Sequence, residues 1–113
     1  MANIAPTQQD GAAGRVTWSG ITSADTPTEG TFFGGAATLT VSGTFGGASI
    51  QWQYGVDTGL TADMETEEKP AGAKFTSAGS TVTERLSPGF IKPVRTGGDG
   101  TTNLKCSVVY VRT

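Results

Sequence analysis

The stretch "VSGTFGGASIQWQYG", Val41 to Gly55, decides how this chain is read. Together with the residues just before it, it alternates apolar and polar positions with period two. Leu39, Val41 and Phe45 share one face, with Gly43 between them, and Thr38, Thr40, Ser42 and Thr44 take the other. After Gly46-Gly47 the alternation resumes, with Ile50, Trp52 and Tyr54 inward and Gln51 and Gln53 outward. Period-two patterning marks half-buried strands. Two glycines in a row supply positive φ at both central turn positions, as a two-residue β-hairpin requires. The expectation is therefore a tight hairpin with Trp52 in the core.

Working outward, "RVTWSG" alternates Val16 and Trp18 against Arg15 and Thr17 and ends at Gly20. "ITSADTPTEG" reads as loop, punctuated by Asp25, Pro27 and Gly30. "AKFTSAG" and "STVTERLSPG" give two further short strands. "FIKPVRTG" carries Pro93, which has no N–H to donate, so that strand is expected at an edge or with a bulge at the proline. "GGDG" is turn chemistry. In "TNLKCSVVYVRT", Leu104, Cys106, Val108 and Tyr110 share one face, while Val109 and Val111 point to the other, which predicts cover on both sides near the end. About seven or eight short strands with glycine-rich turns and no convincing helix predict an all-β chain. It is read as a single antiparallel β-sandwich, jelly-roll-like, although periodicity alone does not separate a plain sandwich from a jelly roll. Residues 1–14 hold little to bury and read as an extended N-terminal arm, frayed in an isolated chain, ahead of a β-sandwich domain over 15–113.

The composition limits what such a domain does. The chain has 113 residues, enough for one modest core, with 35% hydrophobic and 16% charged residues and 17 glycines. A net charge of −2 with scattered Lys and Arg gives no footprint for nucleic acid. The single cysteine excludes an internal disulfide, and Cys106 sits in an apolar run as a small buried residue. No apolar stretch approaches the roughly 18 residues of a membrane span, so no membrane partner is expected. "MANIAPTQQDGAAGR" lacks the charged start and apolar run of a signal peptide, which predicts synthesis in the cytoplasm.

Catalytic groups are scarce. Without histidine there is no Ser–His or Cys–His pair and no usual zinc ligand. The carboxylates cluster between Asp57 and Glu68, in one acidic loop rather than across a cleft, and their spacing matches no dedicated calcium loop. "TFGGAS" and "RTGGDG" lack the Gly-Lys-Ser/Thr ending of a phosphate loop. The expectation is no enzyme, with no catalytic residue, no metal site and no cofactor. Trp18 stands beside the arm and a polar loop, where tryptophan often anchors a partner, and Arg15 is of the same kind. Ile4 and Pro6 can fill shallow pockets on a neighbour. Ile4, Pro6, Arg15 and Trp18 are therefore the candidate partner-binding residues.

At this point "VTWSGITSADTPT", "LTVSGTFGGASIQWQYGVDTG", "FTSAG" and "FIKPVRTGGDGTTNLKCSVVYVR" resemble a family of small virion proteins of tailed bacteriophages. The resemblance covers roughly residues 16 to 112. Thr17-Trp18, Gly43 to Gly47, Phe75 to Gly79 and Pro93 to Gly100 carry it. "QYGVDTG" keeps Asp57 and Gly59 but lacks the Ser-Asn pair of the family's turn, and the acidic insertion that follows is particular to this chain. The resemblance implies a structural role on the capsid exterior of the virion. The protein would be a decoration or cement protein that binds the major capsid protein, as a homo-oligomer, with a trimer as the expected state. Some of these turns also resemble those of discoidin-like jelly rolls, which often bind carbohydrate, so the alternative is a carbohydrate-binding module of a fibre or capsid surface, with a host-surface glycan as ligand.

Overall fold

The computed structural model describes residues 2–4, 6–9, 13–32, 35–55, 62–63, 74–83 and 88–111. Among these residues every regular element is a strand. In chain order they are β1 (Ala2–Ile4), β2 (Thr7–Gln9), β3 (Ala13–Ile21), β4 (Asp25–Pro27), β5 (Gly30–Phe32), β6 (Ala37–Thr44), β7 (Ser49–Gly55), β8 (Ala62–Asp63), β9 (Lys74–Phe75), β10 (Gly79–Val82), β11 (Gly89–Thr96) and β12 (Asn103–Val111).

The strands form two main antiparallel sheets. One runs β10-β6-β12-β3-β2 and the other β5-β11-β7-β8, with β9 also on β7. β8 and β9 follow one another along the same edge of β7. Asp63 and Ala62 stand opposite Gln53 and Tyr54, and Lys74 and Phe75 opposite Gln51 and Ile50. They hold the place of one edge strand, split by residues 64–73. With that equivalence the order is a jelly roll. Strands β3, β12, β6 and β10 make one layer, strands β5, β11, β7 and the β8/β9 pair the other, and the chain changes layer at most connections. A small parallel pair, β1 with β4, lies outside both sheets.

The layers close on one apolar core. Val16, Trp18, Leu39, Val41, Leu104, Cys106 and Val108 come from the first sheet, and Ile50, Trp52, Phe75 and Ile91 from the second. The alternation read from the sequence places these side chains. Trp18 and Trp52 meet across the layers edge to face, centroids 5.8 Å apart at 67°. Rings at that angle gain from their quadrupoles as well as from burial.

Three expectations are corrected. The turn at Gly46-Gly47 has the anticipated geometry, with φ of 55° and 85° and a 2.9 Å bond from Ala48 N to Phe45 O. It does not make a hairpin, because β6 belongs to the first sheet and β7 to the second. The turn is a corner between layers. Second, β11 is not an edge strand, since it lies between β5 and β7. β5 pairs only with Gly89–Ile91, so Pro93 falls beyond it, where no ladder bond on that flank is forgone. Third, Val109 is 38% exposed and not covered on its outer side. Val111, expected to share that cover, is described only in its backbone.

The stretch read as an N-terminal arm lies along the domain where it is described. Thr7–Gln9 pairs antiparallel with Arg15–Thr17, and Ala2–Ile4 runs beside Asp25–Pro27. The acidic loop expected between Asp57 and Glu68 lies outside the described residues except at 62–63.

Candidate docking surface

The four candidate partner residues do not form one site. Trp18 is fully buried and is a correction to its reading as an outward anchor. The alternation that starts at Val16 turns it to the core, and its Nε1 donates to the Thr28 carbonyl at 2.7 Å. A polar loop beside a tryptophan is here the acceptor of the indole rather than a sign of exposure. Pro6 lies over the same region. A Cβ at Gly30 would fall 2.5 Å from Val16 Cγ1 and 3.3 Å from both Pro6 Cγ and Trp18 Cζ2, so glycine is favoured there first by the close approach of Val16. The backbone of Ile4 stands opposite Pro27 on β1. Arg15 is exposed, on the far side of β3 from Trp18.

One end of the sandwich is closed by three turns. Thr102 Oγ1 donates to Phe45 O at 2.8 Å and accepts from Asp99 N at 3.0 Å, which ties the loop between β11 and β12 to the Gly46-Gly47 corner. The Asp99 carboxylate accepts from Thr101 Oγ1 at 2.6 Å and from Thr101 N at 2.8 Å. Asp25 accepts both the N–H and the hydroxyl of Thr22 at 2.8 Å. These bonds hold both carboxyls below the ordinary carboxylate range. Arg95 donates through Nε to Asp25 O at 3.1 Å and through its terminal nitrogen to Gly97 O, bracing the same end. Both carboxylates are thus engaged by their own turns.

Groups for chemistry are few among the described residues. No three of His, Cys, Asp and Glu come together in a way that could hold a metal ion. Burial pushes the Cys106 thiol up to about 12, so at neutral pH it is not a thiolate. A shallow groove of about 90 Å³ runs between β4 and β11, lined by Thr26, Pro27, Lys92, Pro93 and Arg95 among others.

The outer face of the first sheet is the larger feature. Register places Thr7, Thr17, Ser107, Thr40 and Ser80 opposite one another in a single row across all five strands. The next row runs Arg15, Val109, Thr38 and Val82. On the other side of the hydroxyl row, Lys105 stands opposite Ser42. Val82 and Val109, 53% and 38% exposed, are the large apolar side chains left open among the described residues, and both lie in one row of this face. None of the five strands contains Asp or Glu. The sequence does show that Thr38, Thr40, Ser42 and Thr44 share a face. It does not show that β2, β3, β10 and β12 extend that face, because the rows exist only once the strands are ordered.

No protein family model matches the chain, and no curated protein or solved structure matches it either.

Proposed function

We propose that this protein is a non-enzymatic structural component of a tailed-phage virion, a decoration or cement protein that binds the major capsid protein and stabilises the head from outside. The observation that carries the reading is the outer face of the first sheet, a hydroxyl-lined surface with two open valines and no carboxylate on its strands. Interface cores are depleted in charge, as this face is. The resemblance of residues 16–112 to small virion proteins points the same way. The closed jelly roll supports it too, since turns locked to one another give a stiff body for attachment to a lattice. The carbohydrate alternative has less support, since both indoles, the side chains best suited to stack on a sugar ring, are enclosed.

Five strands at about 4.8 Å spacing, close to 30 Å long at β12 but only three and four residues long at the edges β2 and β10, give a face of roughly 500 Å². That is about two thirds of what one partner contributes to a standard stable interface. Attachment through several copies, as in a trimer on a repeating lattice, makes up the difference through avidity. The test is sedimentation of the purified protein with heads of the phage that encodes it. Saturation at a fixed copy number and a raised head melting temperature are the expected results. Absence of the protein from virions by mass spectrometry, with no binding to heads, overturns the reading.

A further inference from the structure

We infer that the docking face is the outer surface of the β10-β6-β12-β3-β2 sheet and that its partner is an acidic protein surface; the inference rests on the structural-protein reading above. The face has a definite chemistry. Its middle is the row of five hydroxyls, each able to donate and accept, and its apolar content is Val82 and Val109. Its formal charges are Arg15 and Lys105, which lie on opposite sides of the hydroxyl row. The chain as a whole is net −2, with 10 carboxylates, yet none of them is on these strands. A surface with two cations, many hydroxyls and no acid complements carboxylates on the partner. It repels a basic surface, and like-charge contacts are how interfaces reject wrong partners.

The opposite sheet also offers cations on its outer side, Lys74 and Lys92. Its edge is split by residues 64–73, one β8 residue is Asp63, and no large apolar side chain with described exposure stands open there. The two faces therefore make different demands, and a charge-matched comparison separates them.

The experiment measures affinity for purified phage heads with four proteins: the parent, Arg15→Glu/Lys105→Glu, the control Lys74→Glu/Lys92→Glu, and Ser42→Lys. The first pair and Ser42 are exposed, so these variants keep the parent's melting temperature, which is checked first. Reversal of Arg15 and Lys105 is expected to weaken binding by at least about tenfold, and the control to stay within about twofold. Ser42→Lys adds a cation beside Lys105 and is expected to tighten binding. A face that docks by shape alone loses affinity in Ser42→Lys as well, which overturns the acidic partner. Equal binding by the parent and the Arg15/Lys105 variant overturns the face while leaving the structural role intact. A parent that does not bind heads at all, whether or not it binds glycans, overturns the role and this inference together.

Discussion

The two sheets of this jelly roll are built to different standards. In the first, β12 is paired along its length, with β6 over Asn103–Tyr110 and with β3 from Leu104 to Val111 apart from one bulge. In the second, β11 has β7 on one flank but β5 for only three residues on the other, and the far edge is two dipeptide strands. The cause is in the residues. β12 alternates buried and exposed along its length and β6 does so as far as Ser42, whereas β11 holds Pro93 and the edge beside β7 is broken by residues 64–73. Paired backbone and continuous burial raise the local opening free energy, so the first sheet is the stable half and the second the yielding half. The comparison teaches that a jelly roll can keep one layer regular and place its irregularities in the other.

The tryptophans probe that division most strongly. Trp52→Ala removes the largest side chain of the weaker layer and is expected to cost roughly 3–5 kcal/mol by chemical denaturation, and Trp18→Ala the same or more, because it also removes the indole's hydrogen bond to the Thr28 carbonyl. A Trp52→Ala variant that melts within a degree or two of the parent would show that the second layer contributes little. The corner between the layers comes next. Placing a non-glycine residue in left-handed geometry costs roughly 1–2 kcal/mol, more for a β-branched one. Gly47→Val meets only that strain, since nothing lies within 4 Å of its Cβ position. A Cβ at Gly46 enters the Asp99, Thr101 and Thr102 cluster, so Gly46→Val is expected to be the more damaging. Equal costs would mean that the loop between β11 and β12 does not hold the corner.

Acid tests the turns of that same end. Asp25 and Asp99 have lowered folded-state pKa values, caused first by their bonds to Thr22 and Thr101. The sign follows: their contribution is complete above the unfolded value, about 3.9, and is lost as pH falls through the lower folded value. Urea midpoints are expected to fall below about pH 4, and a double Asp25→Asn/Asp99→Asn variant to flatten that fall. An unchanged slope in the variant would place the acid sensitivity elsewhere. The smallest effect is on Cys106, buried in the stable layer. With its thiol up to about 12, a disulfide reagent at pH 8 should leave it unmodified until the first sheet opens. Rapid native labelling would mean that β12 is not the protected strand.

How much was legible in the sequence differs between local and non-local features. The core faces of β6, β7 and β12 were, because side-chain alternation is a local rule. The positive φ at Gly46 and Gly47 was too, because only glycine adopts it cheaply. The pairing was not. A two-glycine turn fixes the direction of two strands but not whether they bond to each other, and here each finds its ladder with residues far along the chain, Asn103–Tyr110 for β6 and Phe90–Thr96 for β7. Trp18 was misread for the same reason: its acceptor, Thr28 O, lies on a loop whose position depends on the fold. The candidate surface was half legible. The threonines of β6 were visible as a set, while Val82, Val109 and Arg15 joined them only through register.

The split edge has a practical meaning for anyone wishing to use this domain as a carrier. β8 and β9 keep one register along β7 although residues 64–73 come between them. The fold therefore already closes around an interruption in that strand, on the sheet opposite the hydroxyl face. Foreign peptides spliced between Asp63 and Lys74 would be presented at the margin of the yielding layer, leaving the regular layer as it is.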